Sequence, residues 1–327
     1  MGARMMVLDS ASMYFRAFYG VPATFRAPDG SAVNAVRGFL DATARLIVSQ
    51  RPELLIAAWD NDWRPAFRVS AMPSYKAHRV EDATAGSADM ADPTPGVESV
   101  PVELGPQVDV IIEALALFGI ARCGVDGYEA DDVIGTVASR ARGPVEIVSG
   151  DRDLFQLIDD ARQVAVLYTA GGGGAGPQRI TTTTLRTKYG VEPGQYADFA
   201  LLRGDPSDGL PGVAGIGEKT ASRLISRFGD IDSVLAAAQA VVTGQVAGIA
   251  PLTARHSASL LAAADYIERA KTVVRVVTDL PIPDSLISGA AAGLPAAPTD
   301  PVALREFGRR WGIQSSVGRL NAALGWR

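Results

Sequence analysis

The chain has 327 residues, of which 47% are hydrophobic, and a formal net charge of −5. Its apolar runs, such as 54–59, are too short to span a bilayer, and the N-terminus lacks the long apolar region of a signal peptide. The single cysteine, Cys123, excludes an internal disulfide, and we expect a cytoplasmic protein in which this thiol is a core residue. The net acidity argues against a nucleic-acid partner unless many acids share one pocket with bound cations.

The first half of the chain alternates short apolar runs with helical patterns. The predicted strands are 5–8, 54–59 and 145–148. The predicted helices are 34–50, 107–117 and 131–142. Asn34 is the expected N-cap of the first helix. This alternation predicts an α/β fold in which a central, mostly parallel sheet has helices on both faces.

The rest of the chain contains two irregular stretches and then becomes helical. Residues 81–100 lack periodicity and are predicted to be mobile, and 171–176 is predicted to be a glycine-rich hairpin tip or loop. The later segments are a helical stretch over 233–275, a connector over 281–301 and terminal helices over 301–324. We therefore divide the chain into an α/β core over 1–188 and a helical region over 189–327.

Acidic residues follow the predicted strands. Asp9 and Asp60 come directly after the first two strands, and Asp151 follows the third, with Asp153 two residues later. Ligands of open α/β sheets bind beyond the carboxyl ends of the strands, so these side chains are expected to converge on one crevice. One Asp after a strand is usually a helix cap, but three together with an Asp-x-Asp pair favour a shared site.

Two further acidic groups have the spacing of one helical turn. Glu129 and Asp132 share a helix face, with Asp131 between them, although helix capping is the alternative. Asp205 and Asp208 repeat the same spacing. So many carboxylates cannot stay ionised side by side without cations. An all-oxygen site suits Mg²⁺ or Mn²⁺ rather than zinc, and two adjacent ions of this kind are what phosphodiester hydrolysis needs.

A second motif occupies 210–221 and reads Leu-Pro-Gly-Val-Ala-Gly-Ile-Gly-Glu-Lys-Thr-Ala. Gly215 and Gly217 permit a tight hairpin, and the helix that follows presents free N–H groups to a phosphate. Three basic residues repeat at four-residue intervals on that helix: Lys219, Arg223 and Arg227. A solvated helix face is the alternative for this stripe. Together with the hairpin, it predicts an element that binds DNA backbone independently of sequence.

Four blocks of the sequence resemble the bacterial and phage 5′-nuclease/flap endonuclease family, which includes the 5′-nuclease domain of DNA polymerase I. These blocks are Val7-Leu8-Asp9-Ser10 with Arg16, then 128–133, 149–157 and 202–221. The likeness runs from Met5 to about Pro283, with a weak tail. No polymerase domain follows it, so we expect a stand-alone nuclease with the PIN-like/5′-nuclease fold.

The resemblance implies roles for residues around the predicted crevice. The family's metal-binding acids fall on Asp9, Asp60, Glu129, Asp131, Asp132, Asp151, Asp153, Asp205 and Asp208. Lys76 and Arg79 are expected to steer or polarise the scissile phosphate, and Arg16 is a further expected phosphate contact. The region over about 70–103 resembles the family's arch, through which a 5′ strand threads, and its part after Arg79 is acidic. Gly209 stands where the family usually has Asn.

The resemblance also assigns the motif over 210–230 to a helix–hairpin–helix element. The DNA contacts that it implies are Gly215, Ile216, Gly217, Lys219, Thr220 and Arg223. The backbone carbonyls of Val213 and Ile216 are expected to hold K⁺. The implied cofactors are two or three Mg²⁺ or Mn²⁺ ions. The implied partner is DNA with 5′ flaps or 5′ ends, alongside a DNA polymerase or ligase in repair. We expect a monomer, without membrane attachment, associated with the nucleoid.

Three alternatives remain open. A DNA-binding module without catalysis would lack some of the acids, and none is missing. A PIN-like ribonuclease shares the acidic α/β core, but the hairpin suits duplex DNA. A metal protein acting on small phosphates has no use for a long basic helix. The sequence thus predicts a metal-dependent 5′-nuclease, acting as flap endonuclease and 5′-3′ exonuclease in primer or flap removal and repair.

Overall fold

A six-stranded sheet forms the centre of the molecule, and its strand order is β3-β2-β1-β4-β5-β6. The computed structural model describes residues 2–80, 101–171, 176–247 and 249–326. The strands are β1 (Met5–Asp9), β2 (Leu54–Ala58), β3 (Ala121–Cys123), β4 (Val145–Ser149), β5 (Val164–Tyr168) and β6 (Gln178–Ile180). All neighbours pair in parallel except β5 and β6, which pair antiparallel. The predicted mostly parallel sheet is confirmed.

Helices cover both faces of this sheet. Those of the first half are α1 (Ser10–Gly20), α2 (Asn34–Gln50), α3 (Ala66–Ala71), α4 (Gly105–Phe118), α5 (Ala130–Arg140) and α6 (Thr182–Tyr189). Those of the second half are α7 (Tyr196–Arg203), α8 (Glu218–Phe228), α9 (Ile231–Val242), α10 (Ala254–Ala262), α11 (Ala264–Val274), α12 (Asp284–Ile287), α13 (Pro301–Arg310) and α14 (Gln314–Ala323). No helix among the described residues is long and apolar enough to cross a membrane.

The core consists of two apolar clusters, one on each face of the sheet. Met5 and Val7 of β1 belong to one cluster, whereas Met6 and Leu8 belong to the other. This division follows from the alternation of side chains along a strand. All five residues of β1 are buried. A strand buried on both faces is continuously apolar up to the edge of the sheet, where the first acidic residue appears.

Two sequence predictions change in detail. The N-cap of α2 is Val33, and the prediction that Asn34 caps the helix is wrong. Asn34 is the first helical residue, and its buried Nδ2 atom donates to the carbonyl of Phe18 at 2.7 Å, which ties α2 to the end of α1.

The predicted connector over 281–301 contains the short helix α12. The predicted hairpin tip at 171–176 lies between the antiparallel strands β5 and β6, although 172–175 and the predicted mobile stretch over 81–100 lie outside the described residues.

The last two helices pack on the α/β half of the molecule. Five of their buried side chains belong to the same cluster as α2 and α4: Leu304, Phe307, Ile313, Val317 and Leu320. Arg319 pairs with Asp41 of α2 at 2.8 Å. Trp326 stacks on Phe118 with ring centroids 5.7 Å apart and donates to the carbonyl of Pro295 at 2.8 Å. These contacts place the last two helices against α2 and α4.

Candidate active site

A pocket of about 510 Å³ lies at the carboxyl ends of β1, β2 and β4. Five of the predicted acids line it: Asp9, Asp60, Glu129, Asp131 and Asp151. Lys76 and Arg79, which the sequence assigned to the phosphate, line the same pocket. The sheet therefore brings together residues that are far apart in the chain.

Backbone N–H groups fix the first two acids at the ends of their strands. Asp9 ends β1 and caps α1, because its Oδ1 atom accepts from the backbone N–H of Ser12 at 3.0 Å. Asp60 follows β2 and accepts from the backbone N–H of Ala130 at 2.7 Å. The start of α5 is thus joined to the end of β2, and the acids at 129 and 131 lie next to those of the sheet.

Ser149 connects the acid of β1 with that of β4. Its hydroxyl donates to Oδ2 of Asp9 at 2.5 Å and accepts from the backbone N–H of Asp151 at 2.8 Å. The carboxylate of Asp151 accepts from the backbone N–H of Asp153 at 2.8 Å. The hydroxyl of Ser149 therefore links Asp9, at the end of β1, to Asp151, which follows β4.

Burial and mutual repulsion make these carboxyls hard to ionise. Burial, followed by the charge of Asp60, raises the pKa of Asp9 to about 7. Burial also raises the pKa of Asp60. The pKa of Asp131 lies well above its usual value because of burial and then the charges of Asp151 and Asp9. Without cations, part of this cluster holds protons near neutral pH.

Three side chains of the protein donate to Glu129. Its Oε2 atom accepts from the hydroxyl of Tyr75 at 2.7 Å and from the guanidinium of Arg68. Its Oε1 atom accepts from the ammonium of Lys76. All three donors come from the segment 66–79, which includes the beginning of the predicted arch at about residue 70. That segment is therefore attached to the beginning of α5 through one carboxylate.

Asp132 is not brought into the pocket. Its side chain is fully buried, and both oxygens accept from Arg68, at 2.6 and 2.9 Å. Oδ1 also accepts from the backbone N–H of Val277 at 2.8 Å. Glu129 is the N-cap of α5 and forms a capping box with Asp132, which is the alternative that the sequence left open. An internal arginine also occupies the carboxylate of Asp132.

Three further predicted acids lie beside the pocket. Burial, then the charges of Asp151, Asp208 and Asp205, raises the pKa of Asp153 well above its usual value. Burial raises the pKa of Asp208 to about 6, although Lys76 opposes the shift. Asp205 caps the 3₁₀ turn Pro206–Asp208 and pairs with Arg203 at 3.2 Å. These acids form a second group next to Asp151, and they do not line the pocket.

The donor set of the pocket fits hard divalent cations. Its candidate ligands are carboxylate oxygens, which Mg²⁺ and Mn²⁺ prefer. Burial and then neighbouring carboxylates raise the pKa of Asp9 and of Asp131, so a bound cation would favour the ionised forms. Within the described ranges, no group of three or more His, Cys, Asp or Glu side chains is already arranged around the position of one ion. Lys76 and Arg68 instead occupy the oxygens of Glu129.

A steric constraint explains why this chain has Gly209 where the family usually has Asn. Its φ of +73° is unfavourable for other residues, and a Cβ atom would lie 2.1 Å from the carbonyl oxygen of Ser74. The hydroxyl of Ser74 donates to the carbonyl of Gly209 at 3.1 Å, and the backbone N–H of Lys76 donates to that of Asp208 at 3.2 Å. The glycine thus permits the beginning of the predicted arch to pack directly on the turn that carries Asp208.

The predicted phosphate contacts differ in exposure. Lys76 is 9% exposed, whereas the side chain of Arg79 is 37% exposed and its guanidinium lies 3.8 Å from Asp208. Arg16 is exposed on α1 and does not line the pocket.

Sequence reasoning missed Ser12, Phe15, Tyr19 and Trp63 in the pocket lining and Arg68 and Tyr75 behind it. The spacing of Ser12, Phe15 and Tyr19 on one face of α1 could have indicated the first three.

One side of the hairpin motif packs on the protein, and the other side faces solvent. The backbone N–H of Val213 donates to Leu202 at 3.0 Å, and that of Ile216 donates to Val213 at 2.9 Å. The hydroxyl of Tyr266 accepts from the N–H of Gly212 at 3.1 Å and donates to the carbonyl of Leu201 at 2.9 Å. These contacts hold the turn against α7 and α11.

The front of the hairpin faces solvent. Gly215 has a φ of +79°, and no atom lies within 4 Å of the position of a Cβ there. The helix α8 begins directly after Gly217, as predicted. Lys219, Arg223 and Arg227 are exposed, and Lys219 and Arg223 have no hydrogen bond or ion pair to any described residue. This surface is therefore free to bind an anionic ligand.

Two family models match the chain. One is described as "5'-3' exonuclease, N-terminal resolvase-like domain" and covers residues 4–190. The other is described as "5'-3' exonuclease, C-terminal SAM fold" and covers 191–293. A 5'-3' exonuclease of Streptomyces coelicolor is 52% identical over 320 residues, which span 98% of this chain and 99% of the relative. One of Mycobacterium tuberculosis is 47% identical over 330 residues, or 99% and 98% of the two chains.

Other similarities are to part of a longer protein, or to solved structures that share the fold. DNA polymerase I of Mycobacterium bovis is 40% identical over 235 residues, which span 71% of this chain and 24% of the polymerase. A solved structure described as T5 5'-exonuclease with bound zinc has a TM-score of 0.62 at 17% identity, covering 98% and 99% of the two chains. A T5 D15 flap endonuclease structure with DNA and metal ions has a TM-score of 0.61 at 17% identity, covering 96% and 99%. At these identities the structures establish the shared fold.

Proposed function

The chain belongs to the 5′-3′ exonuclease family, and on that premise we propose that it is a divalent-metal-dependent nuclease acting on DNA with 5′ flaps, nicks, gaps or 5′ ends. The observation that carries the proposal is the single pocket in which acids from three strand ends and α5 meet two basic residues. Acidic side chains that are buried together suit cations, and basic side chains at the same place suit a phosphate.

The carboxylates are the residues that would hold the metal. Those lining the pocket are Asp9, Asp60, Glu129, Asp131 and Asp151, and Asp153 and Asp208 adjoin them. We propose Mg²⁺ or Mn²⁺ as the ion, because every candidate ligand is a hard oxygen. Once bound, such ions supply an activated water and stabilise negative charge on the leaving oxygen.

Lys76 and Arg79 bring positive charge to the same pocket from the first part of the predicted arch. Arg79 is partly exposed and would neutralise the scissile phosphate from the pocket mouth. Lys76 contacts Glu129, so its ammonium lies within the acidic cluster and would act closer to the cleaved bond. The role of Arg16 as a further phosphate contact remains a proposal.

The hairpin would hold the duplex away from the pocket. Gly215, Gly217, Lys219 and Arg223 face solvent, and backbone N–H groups at the start of α8 suit a phosphate oxygen. The neighbouring contacts at Ile216 and Thr220, and a K⁺ ion on the carbonyls of Val213 and Ile216, belong to the same proposal. Contacts of this kind would anchor DNA while nucleotides near the 5′ end unpair, which costs a few kcal/mol.

The cellular role follows from the same chemistry. We propose that the protein acts as a monomer on nucleoid DNA in the cytoplasm. There it would remove flaps or primers beside a DNA polymerase and leave ends that a ligase can join. This role requires a nuclease that recognises DNA structure rather than sequence, and phosphate contacts at the hairpin are of that kind.

The test is cleavage of an end-labelled 5′-flap DNA with Mn²⁺ and with a chelator in place of the metal. We expect cleavage near the flap junction only with metal, and weaker cleavage when the 5′ strand is RNA of the same sequence. Tight DNA binding without cleavage in either metal would instead indicate a non-catalytic DNA-binding module. Preferential cleavage of the RNA strand would indicate a ribonuclease.

A further inference from the structure

Arg68 is a buried arginine that touches two of the predicted metal ligands. It lies on α3, is 2% exposed, and its guanidinium donates both to Glu129 and to Asp132. Glu129 lines the pocket, whereas Asp132 does not. One rigid, planar side chain therefore connects an acid of the pocket to an acid behind it.

Asp132 has no acceptor position left for a metal ion in this arrangement. Oδ1 accepts from Nη2 of Arg68 at 2.6 Å and from the N–H of Val277 at 2.8 Å. Oδ2 accepts from Nη1 of Arg68 at 2.9 Å and from the N–H of Glu129 at 3.3 Å. An ionised carboxylate offers about four lone-pair positions, and these four donors take them.

We propose that Arg68 and Asp132 form a positioning pair that holds Glu129 in the pocket, and that Asp132 is not itself a metal ligand. This inference deepens the proposed function and rests on it. Asp132 orients the guanidinium by a bidentate contact, and the guanidinium then fixes Oε2 of Glu129. Groups that orient metal ligands without touching the metal are a general feature of metal sites.

The pair also joins three separate parts of the chain. Arg68 belongs to α3, Asp132 to the first turn of α5, and Val277 to the segment after α11. The same turn of α5 carries Asp131 into the pocket. Loss of the pair would consequently disturb two pocket acids while leaving the hairpin and its basic helix in place.

The experiment compares R68M, D132N and the double variant with the wild-type protein. The measurements are kcat and KM on 5′-flap DNA, Mn²⁺ affinity without DNA by electron paramagnetic resonance, and thermal unfolding. We expect each single variant to lose about 10- to 100-fold in kcat and in Mn²⁺ affinity, with KM for DNA unchanged. The double variant should be no worse than the poorer single variant, because each single substitution already removes the Arg68–Asp132 interaction.

R162M is the matched control. Arg162 donates to the carbonyls of Ala138 and Ser139 at 2.9 Å and of Ala141 at 3.1 Å, at the opposite end of α5. Its loss should lower the unfolding temperature without changing kcat or Mn²⁺ affinity. A purely structural role for Arg68 would give the same pattern as R162M, and that result would overturn the proposal.

Other outcomes are equally decisive. Losses that multiply in the double variant would show that Asp132 acts independently of Arg68, as a ligand does, and would overturn the proposal. If R68M does not fold, R68K replaces it, since it keeps the buried charge but loses the bidentate fork. R68K should show a smaller loss than D132N, and the R68K/D132N variant should be no worse than D132N alone. Wild-type values for R68K would refute the pair. A wild-type protein that fails to cleave DNA with Mn²⁺ refutes the proposed function instead.

Discussion

The pocket and the hairpin have opposite constructions. The pocket gathers buried, acidic side chains from strand ends and from a helix start that are distant in sequence, and it restrains them with internal donors. The hairpin and the first turns of α8 form one continuous stretch whose basic side chains are exposed. Buried charges need partners within the fold, whereas exposed charges are available for a ligand.

This difference predicts that the two regions fail in different ways. Damage to the pocket should affect the chemical step and the binding of metal, while leaving the binding of DNA intact. Damage to the hairpin should affect the binding of DNA and its dependence on salt, while leaving the chemical step intact. Three experiments examine this separation, and their expected effects decrease in size.

The largest effect is expected for Asp151→Asn. Asp151 lines the pocket, and its charge contributes to the raised pKa values of Asp131 and Asp153, so it lies among all of the proposed ligands. We expect cleavage of 5′-flap DNA to fall by more than about 100-fold, because even supporting groups of a metal site are worth 10- to 100-fold. The dissociation constant for flap DNA, measured by fluorescence anisotropy with Ca²⁺, should remain near the wild-type value.

Unchanged cleavage by this variant would remove Asp151 from the site. Equal losses in cleavage and in DNA affinity would contradict the separation between pocket and hairpin.

A smaller effect is expected when Lys219 and Arg223 are both replaced by Ala. An exposed ion pair is worth up to about 1 kcal/mol, so the loss of two should lower DNA affinity by up to about 30-fold. The slope of log affinity against log salt should flatten by about two, one for each lost phosphate contact. The kcat at saturating DNA should be retained.

The control for this experiment replaces Arg305 and Arg309, which are exposed and also four residues apart, on α13. Their loss removes the same charge from another surface and should leave the salt slope unchanged. An equal effect in both variants would indicate that net charge, rather than the hairpin, controls binding.

The smallest effect is a pH dependence confined to the pocket. Burial and the charge of Asp60 raise the pKa of Asp9 to about 7, so the folded, metal-free protein holds protons that the unfolded chain has released. Its stability should therefore fall as pH rises from about 4 to 7. Protons compete with metal in the same range, so Mn²⁺ affinity should rise by somewhat less than about tenfold between pH 6 and 7.5.

Isothermal titration with Mn²⁺ and thermal unfolding at a series of pH values measure both trends. DNA binding through Lys219 and Arg223 should stay constant over this range, because neither residue lines the pocket. A metal affinity that does not change with pH would contradict the raised pKa of Asp9.

The sequence was most informative where a pattern was long or local. β1, β2 and β4 were predicted to within one residue, because strands buried on both faces are continuously apolar. The hairpin and the start of α8 were also predicted, because glycine positions and a helix start are encoded locally. Three strands were missed. β3 and β6 have three residues, which give no readable alternation. β5 is as long and as apolar as the predicted strands, and its pattern was overlooked.

The internal partners of the site could not be predicted from the residues alone. Arg68 looks like any surface arginine in the sequence, and its acidic partners lie 61 and 64 residues further along. The need for glycine at 209 depends on the carbonyl of Ser74, 135 positions earlier. Which acids face the pocket and which accept internal donors is decided by packing between distant segments.

Trp326 has a practical consequence for handling the protein. Its ring stacks on Phe118 at the end of α4, just before β3 begins, so the C-terminal residues lie at the edge of the sheet where the parallel strands start. The pocket lies at the opposite edge. An affinity tag or fluorophore appended there would project away from the pocket, whereas removal of the C-terminal residues would expose apolar side chains on α2 and α4 and promote aggregation.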